Sequence, residues 1–255
     1  MRLLVGDTGV VGKSLLEQRH FDLTFNSRNS KYIADNSVSN DELWLSCLPA
    51  AKWQVNRQID KDLKTIYDVI QEITIKQYSK VVLISTIDVY CESPLGLTED
   101  DAPRFSKLSY GHNRYLFEML CKQFIKTDDL KIFRLPAIFN KNIKKNILYD
   151  LINNHNIEQI NANSSYQWFG LDKLDGFIQG MSELHPHRDT YNLFPEPVPT
   201  VELLELFPEH KNNVSFSLDK VEYNYKTNLT DSGYLYTKQN TLDAIEKFIN
   251  EARGN

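Results

Sequence analysis

At 255 residues the chain can bury one large core, or one core with a small lobe. Hydrophobic residues make up 41% and charged ones 25%, and no apolar run reaches bilayer length, which excludes a membrane-spanning helix. The net charge is −5 and Lys and Arg are dispersed, so the basic stripe that nucleic acid requires is missing.

The elements alternate. Leu3-Leu4-Val5 reads as a short apolar strand, followed by a glycine turn and a helix opening at Ser14-Leu15-Leu16-Glu17. Asp22-Leu23-Thr24-Phe25 and Leu43-Trp44-Leu45-Ser46-Cys47 read as the next strands. The stretch between residues 35 and 43 is too short for a full helix, so that crossover is expected as a loop. Leu63, Ile66, Val69, Ile70 and Ile73 recur at helical spacing and predict a helix over 59–78. Val81-Val82-Leu83-Ile84-Ser85 is a continuous apolar run of the kind buried on both faces of a parallel sheet. A long helix is expected over 109–126 and a strand at Lys131-Ile132-Phe133-Arg134, ending at Pro136.

Beyond it the pattern loosens into an Asn-rich stretch with a helix near 147–154, a Pro-punctuated region, and an amphipathic helix over 241–252. Strand–helix alternation with apolar strands predicts an α/β fold: a Rossmann-type, doubly wound parallel sheet with a small C-terminal lobe. The dinucleotide-binding core is expected at 1–140 and the compact lobe at 141–255, with 165–182 and 189–206 returning to the core.

Cys47, Cys91 and Cys121 have neither paired nor metal-ligand spacing, and the six histidines add no motif, so no metal is expected. The N-terminal apolar stretch is too short for a signal peptide, and the cytoplasm is the expected location.

Gly6-Asp7-Thr8-Gly9-Val10-Val11-Gly12 lies between a strand and a helix. Such a turn bares backbone N–H groups to a pyrophosphate at a helix start. Its spacing is G-x-x-G-x-x-G, not the G-x-G-x-x-G of the dehydrogenase fingerprint, but its position after the first strand favours dinucleotide binding over a purely structural turn. Gly6, Thr8, Gly9, Val10, Val11 and Gly12 are therefore candidate cofactor residues. After the second strand come Asn26, Ser27 and Arg28, with no acidic residue between Asp22 and Asp35. Ser27 and Arg28 suit a 2′-phosphate, which favours NADP(H), with NAD(H) as the alternative.

Val82 to Tyr90, with Thr86 four residues before the aromatic, then Leu97-Thr98-Glu99-Asp100-Asp101-Ala102-Pro103, then Tyr110-Gly111-His112-Asn113-Arg114, resemble the extended short-chain dehydrogenase/reductase family. That family contains the nucleotide-sugar epimerases, dehydratases and reductases. The resemblance implies that Thr86 bonds the substrate oxygen, that Tyr110 is the general acid or base, and that Arg114 holds the nicotinamide ribose and tunes Tyr110. A phenol and a cation four residues apart share one helix face. Arg114 replaces the family's Lys in Tyr-x-x-x-Lys, and a planar guanidinium does not substitute for a point charge. The resemblance further marks Cys47, Leu48 and Pro49, in the turn before Ala50-Ala51, and Leu135 and Pro136 as cofactor contacts.

Asp172, in Trp168-Phe169-Gly170-Leu171-Asp172, is expected as a helix N-cap. Lys141, Lys144 and Lys145 are expected on a solvated helix face, with substrate phosphates as the other reading.

The expected function is an NADP-dependent oxidoreductase that reduces a keto group of a nucleotide-activated sugar. A 4-epimerase and a catalytically silent NADP-binding sensor or scaffold are the alternatives. Ile87 and Asp88 stand where a dehydratase carries Asp-Glu, which disfavours dehydration. The resemblance also implies a homodimer paired through the helices at 59–78 and 109–126.

Overall fold

The computed structural model describes residues 1–36 and 41–254. Six parallel strands form the central sheet: β1 (Arg2–Val5), β2 (Leu23–Phe25), β3 (Asp41–Leu45), β4 (Tyr78–Thr86), β5 (Leu130–Leu135) and, after three short strands outside it, Thr190–Asn192. The other strands are β6 (Ala137–Phe139), β7 (Ser165–Tyr166) and β8 (Trp168–Gly170), so Thr190–Asn192 is β9, and β10 is Val198–Pro199. The sheet order is β2-β1-β3-β4-β5-β9, and among the described residues all its pairings are parallel.

Strand side chains alternate between faces, and each face builds its own core. Leu3, Val5, Leu43, Leu45, Val81, Leu83 and Ile132 pack against one helical layer, α4 (Ile59–Ile73) and α5 (Tyr110–Phe124). Leu4, Trp44, Val82, Phe133 and Tyr191 pack against the other, α1 (Val10–Gln18) and α7 (Leu174–Leu184). The lobe has a separate core around Leu148, Trp168, Phe207 and Ile245. It draws on α6 (Ile147–Asn153), α8 (Thr200–Leu203) and α9 (Lys238–Arg253). The remaining helices, α2 (Ile33–Asn36) and α3 (Lys52–Arg57), are short. No helix among the described residues is long and apolar enough to cross a membrane.

Three expectations need correction. The helix predicted over 59–78 stops at Ile73: Ile75 is exposed, and Tyr78 is buried as the first residue of β4, its N–H bonded to the Lys126 carbonyl at 2.9 Å. Asp172 does not cap a helix. It sits inside a 3₁₀ turn, Leu171–Lys173, whose N-cap position is Gly170 with no side-chain bond. Lys141, Lys144 and Lys145 lie in turns, not on a helix, and Lys141 pairs with Glu17 at 3.2 Å. The crossover expected as a loop between 35 and 43 falls partly at 37–40, outside the described residues; the end of α2 lies before that gap and β3 begins at Asp41 after it.

Candidate active site

The chain reverses direction across the sheet at β1, with β2 on one side and β3 on the other. In open α/β sheets ligands bind at the carboxyl ends of the strands beside such a switch. Gly6 follows β1 with φ +104°, and a Cβ there would come within 2.3 Å of the Ser46 carbonyl oxygen. Gly12 is buried in the first turn of α1, where a Cβ would meet the Gly6 carbonyl oxygen at 2.0 Å. Both glycines let the loop, the start of α1 and the turn after β3 approach at backbone distance. Gly9, by contrast, is exposed at the N-cap of α1 with no side-chain cap. A Cβ on Gly9 would find nothing closer than 3.5 Å. The unpaired N–H groups at the start of α1 thus face open space, which fits a pyrophosphate. Thr8 is exposed on this rim, and Val10 and Val11 are half-buried behind it.

At the end of β2 the chain folds into a tight turn: the Asn26 side chain accepts the Arg28 N–H at 3.0 Å, and Asn29 accepts the Asn26 N–H at 2.7 Å. Ser27 and Arg28 are exposed, and the Arg28 guanidinium makes no ion pair among the described residues. Folding also brings a carboxylate to this corner. Asp7 Oδ2 lies 3.5 Å from Asn26 Nδ2, and its buried Oδ1 has no partner.

Thr86 ends β4 beside Leu135 of β5, so Leu135 and Pro136, both buried, sit next to the candidate hydroxyl. Thr86 Oγ1 accepts the Asp88 N–H at 3.2 Å, which leaves its own hydrogen available to a ligand. The 3₁₀ turn that follows, Ile87–Tyr90, is pressed against the start of α5: a Cβ on Gly111 would lie 2.0 Å from the Asp88 carbonyl oxygen. That contact seats the start of α5 on the turn after Thr86 and explains the Tyr-Gly pair. Ser109 caps α5, accepting the His112 N–H at 3.3 Å.

The guanidinium of Arg114 lies 4.5 Å from the Tyr110 ring centroid, as helical spacing requires. Its charge, however, is turned inward. Nη1 and Nη2 bond Asp62 of α4 at 2.8 and 3.0 Å, and Nη2 donates to the Pro49 carbonyl at 2.6 Å. Arg114 is 5% exposed and joins α5 to α4 and to the turn after β3, while it also hydrogen-bonds the Tyr110 phenol. Cys47 and Leu48 of that turn pack against the core under α4 and α5, and burial pushes the Cys47 thiol up to about 12. The turn after β3 thus meets Arg114 through the Pro49 carbonyl and Gly6 through Ser46.

Residues not singled out from the sequence complete the site. Lys52 Nζ bonds Asp88 Oδ1 at 2.6 Å and the Tyr223 hydroxyl at 3.2 Å; Tyr223 donates to the same carboxylate oxygen at 2.5 Å. Asn56 Oδ1 accepts the Tyr110 N–H at 2.8 Å. Burial raises the Tyr110 phenol; the charge and a hydrogen bond of Arg114 pull it down, Asp88 pushes it up, and Lys52 pulls it down least. Burial disfavours the Lys52 ammonium, but Asp88 outweighs that and holds the amine above its usual value. Below lies a buried ionic layer: Arg134 Nη2 bonds Glu118 at 2.6 Å, Ser85 bonds the same carboxylate at 2.5 Å, and Tyr90 donates to the Thr98 carbonyl at 2.7 Å.

A cavity of about 730 Å³ lies at the opposite, amino-terminal edge of the sheet, lined by Arg19, Glu42, Trp44, Lys80 and Lys131. Two of its cations are already engaged: Arg19 pairs with Asp175 and Lys131 bonds the carbonyls of Pro186 and Arg188. It carries no candidate chemistry. Among the described residues no cluster of His, Cys, Asp or Glu could hold a metal ion.

No family model and no curated protein matches the chain. Solved structures do. MoeE5 in complex with UDP-glucose and NAD superposes with a TM-score of 0.73 at 15% identity, over 99% of each chain. A UDP-galactose 4-epimerase matches with a TM-score of 0.73 at 12% identity, over 100% of this chain and 99% of that one. A dTDP-4-dehydrorhamnose reductase from Bacillus anthracis strain Ames in complex with NADP matches at 0.70 and 16% identity, over 98% of each. The fold implied by the sequence resemblance, the Rossmann-type fold of the extended short-chain dehydrogenases/reductases, is the fold this chain has.

Proposed function

We propose that the protein is an NADP(H)-dependent oxidoreductase of the short-chain reductase type that reduces a keto group on a nucleotide-activated sugar. The observation that carries this reading is the close packing of the start of α5, with Tyr110, on the turn that follows Thr86, together with the glycine-bared start of α1 after β1. Residues 1–140 serve as the dinucleotide-binding unit and 141–255 as the substrate lobe. When bound, the dinucleotide supplies a hydride. Thr86 donates its free hydroxyl hydrogen to the substrate carbonyl oxygen and orients it. Tyr110 then gives its phenolic proton to that oxygen, so that hydride on carbon and proton on oxygen complete the alcohol. The similarity to structures holding UDP-glucose with NAD and to a reductase holding NADP supports both the substrate class and the cofactor class.

Arg28, exposed and unpaired at the end of β2, supports the 2′-phosphate form. Asp7 favours the second reading, NAD(H), because a carboxylate at this corner repels a 2′-phosphate. Two copies pair through α4 and α5, where Tyr67 and Phe124 leave aromatic surface uncovered, and the protein acts in the cytoplasm. Light scattering on the purified protein measures the assembly.

Calorimetric titration with NADPH and NADH, followed by NADPH oxidation against a panel of keto-sugar nucleotides, tests the function. Tyr110→Phe should abolish turnover and leave dinucleotide affinity within about three-fold, a change of under 1 kcal/mol. Turnover by Tyr110→Phe, or no dinucleotide binding by the wild type, refutes it. Arg28→Ala should weaken NADPH and spare NADH; Asp7→Asn should do the reverse.

A further inference from the structure

Arg114 stands where the short-chain reductases carry Lys, and folding puts all of its fork to use. The guanidinium lies 4.5 Å from the Tyr110 ring centroid and hydrogen-bonds the phenol. An arginine has five N–H groups, and three of these are held elsewhere. Nη1 and Nη2 reach the two oxygens of Asp62, and Nη2 also donates to the Pro49 carbonyl. The planar group is thus pinned at its far end while the rest of it addresses Tyr110.

The fold by itself does not call for that pin. Asp62 lies in the first turn of α4, where an acidic residue suits the helix dipole, but exposed Asp60 in the same turn already meets that need. Asp62 is instead 4% exposed. Burying two charges adds little net stability even when they pair well. The contact serves geometry. Asp62 takes both Nη atoms in a two-pronged bond, and Asn113 Nδ2, next to Arg114 in α5, gives the same carboxylate a third bond at 2.9 Å. A lysine at 114 could not be held this way. Its single nitrogen cannot reach two carboxylate oxygens, the Pro49 carbonyl and the phenol together.

We propose that Asp62 is a positioning residue for Tyr110, holding the Arg114 guanidinium against the phenol so that a site with Arg in place of Lys still works. The inference rests on the reductase reading. In that reaction the Tyr110 O–H bond breaks, its electron pair stays on the phenolate oxygen, and the proton forms the new alcohol O–H. A guanidinium fixed beside that oxygen stabilises the phenolate until water returns a proton. The charged groups facing Tyr110 are Arg114 on its own helix, with Asp62 of α4 bonded to it, Asp88 from the turn after β4, and Lys52 from α3. Among them Arg114 acts most strongly. Neutralising Asp62 therefore has two opposed effects. Loss of a negative charge favours phenolate, whereas release of the guanidinium disfavours it. If Asp62 positions Arg114, the second effect must win.

The sign of the change is the test. Protein labelled with 3-fluorotyrosine is titrated by fluorine NMR, the Tyr110 signal being assigned by its loss in Tyr110→Phe. Asp62→Asn, which keeps the shape and removes the charge, should move this titration up by about one pH unit. It should also lower kcat by about 10- to 100-fold and leave the keto-sugar KM little changed. Arg114→Lys, although it restores the family's residue, should lower kcat by a similar factor. Asn113→Ala removes one bond to the same carboxylate and leaves the fork alone, so it should lose stability with the Tyr110 titration and kcat unchanged. A titration that falls or stays in Asp62→Asn overturns the proposal, as does a kcat that does not fall in Arg114→Lys. Equal behaviour of Asp62→Asn and Asn113→Ala reduces Asp62 to a structural role and overturns it too. Should Asp62→Asn fail to fold, Arg114→Lys decides. If the wild type binds dinucleotide but reduces no substrate, the reductase reading fails by itself, and the NMR shift still decides whether Asp62 positions Arg114.

Discussion

Replacing Asp62 by Ala probes the contact that binds the candidate site to the fold. The carboxylate satisfies three donors at once, Arg114 Nη1 at 2.8 Å, Arg114 Nη2 at 3.0 Å and Asn113 Nδ2 at 2.9 Å. Both charged side chains are almost wholly buried, so the variant leaves a guanidinium in the interior with the Pro49 carbonyl and Tyr110 as its remaining partners. Breaking one side of such a pair costs about 3–5 kcal/mol, because the orphaned charge keeps its desolvation penalty. For a chain of this size that corresponds to a melting temperature lower by roughly 6–20 °C. Urea denaturation of Asp62→Ala, Arg114→Met and the double variant measures the coupling. The double variant should regain most of the loss, since apolar replacement of a whole buried pair is often neutral. Should Asp62→Ala lose less than about 1 kcal/mol, the range of an exposed pair, Arg114 is not held as described. Equal stabilities for Asp62→Ala and the double variant refute the same reasoning.

Two further outcomes follow from the geometry. Gly12→Ala sets a methyl 2.0 Å from the Gly6 carbonyl oxygen, so it should displace the loop and abolish NADPH binding by calorimetry. The same change at Gly9, where the nearest atom is 3.5 Å away, should leave the fold intact. Burial holds the Tyr90 phenol up to about 12 against an ordinary value of 10, although Arg134 beside it acts the other way. Between those values the unfolded chain loses a proton that the folded one keeps, so stability must fall as pH rises. The loss should be about 2–3 kcal/mol, and Tyr90→Phe should flatten that part of the stability curve.

Much of the architecture is written locally. Alternating apolar residues in 3–5, 43–45 and 81–83 feed two cores because a strand turns successive side chains to opposite faces. The glycine turn, Thr86 at a strand end and the Tyr110–Arg114 spacing are likewise statements about covalent neighbours. The end of α4 was misread because an apolar residue at 75 and an aromatic at 78 continue the helical pattern, although one is exposed and the other begins β4.

What α5 does with its cation could be decided only in three dimensions. Asp62 claims Arg114 from 52 positions away, Lys52 reaches Asp88 across 36, and Tyr223 returns to the same carboxylate across 135. Asp7 meets Asn26 only because β1 and β2 lie side by side. Periodicity and turn chemistry act between residues close in the chain, and they sufficed for the layers, the sheet and the placing of the hydroxyls. Charge pairing acts through space, so the partner that neutralises each ion was settled by the packing of α3, α4 and the C-terminal segment.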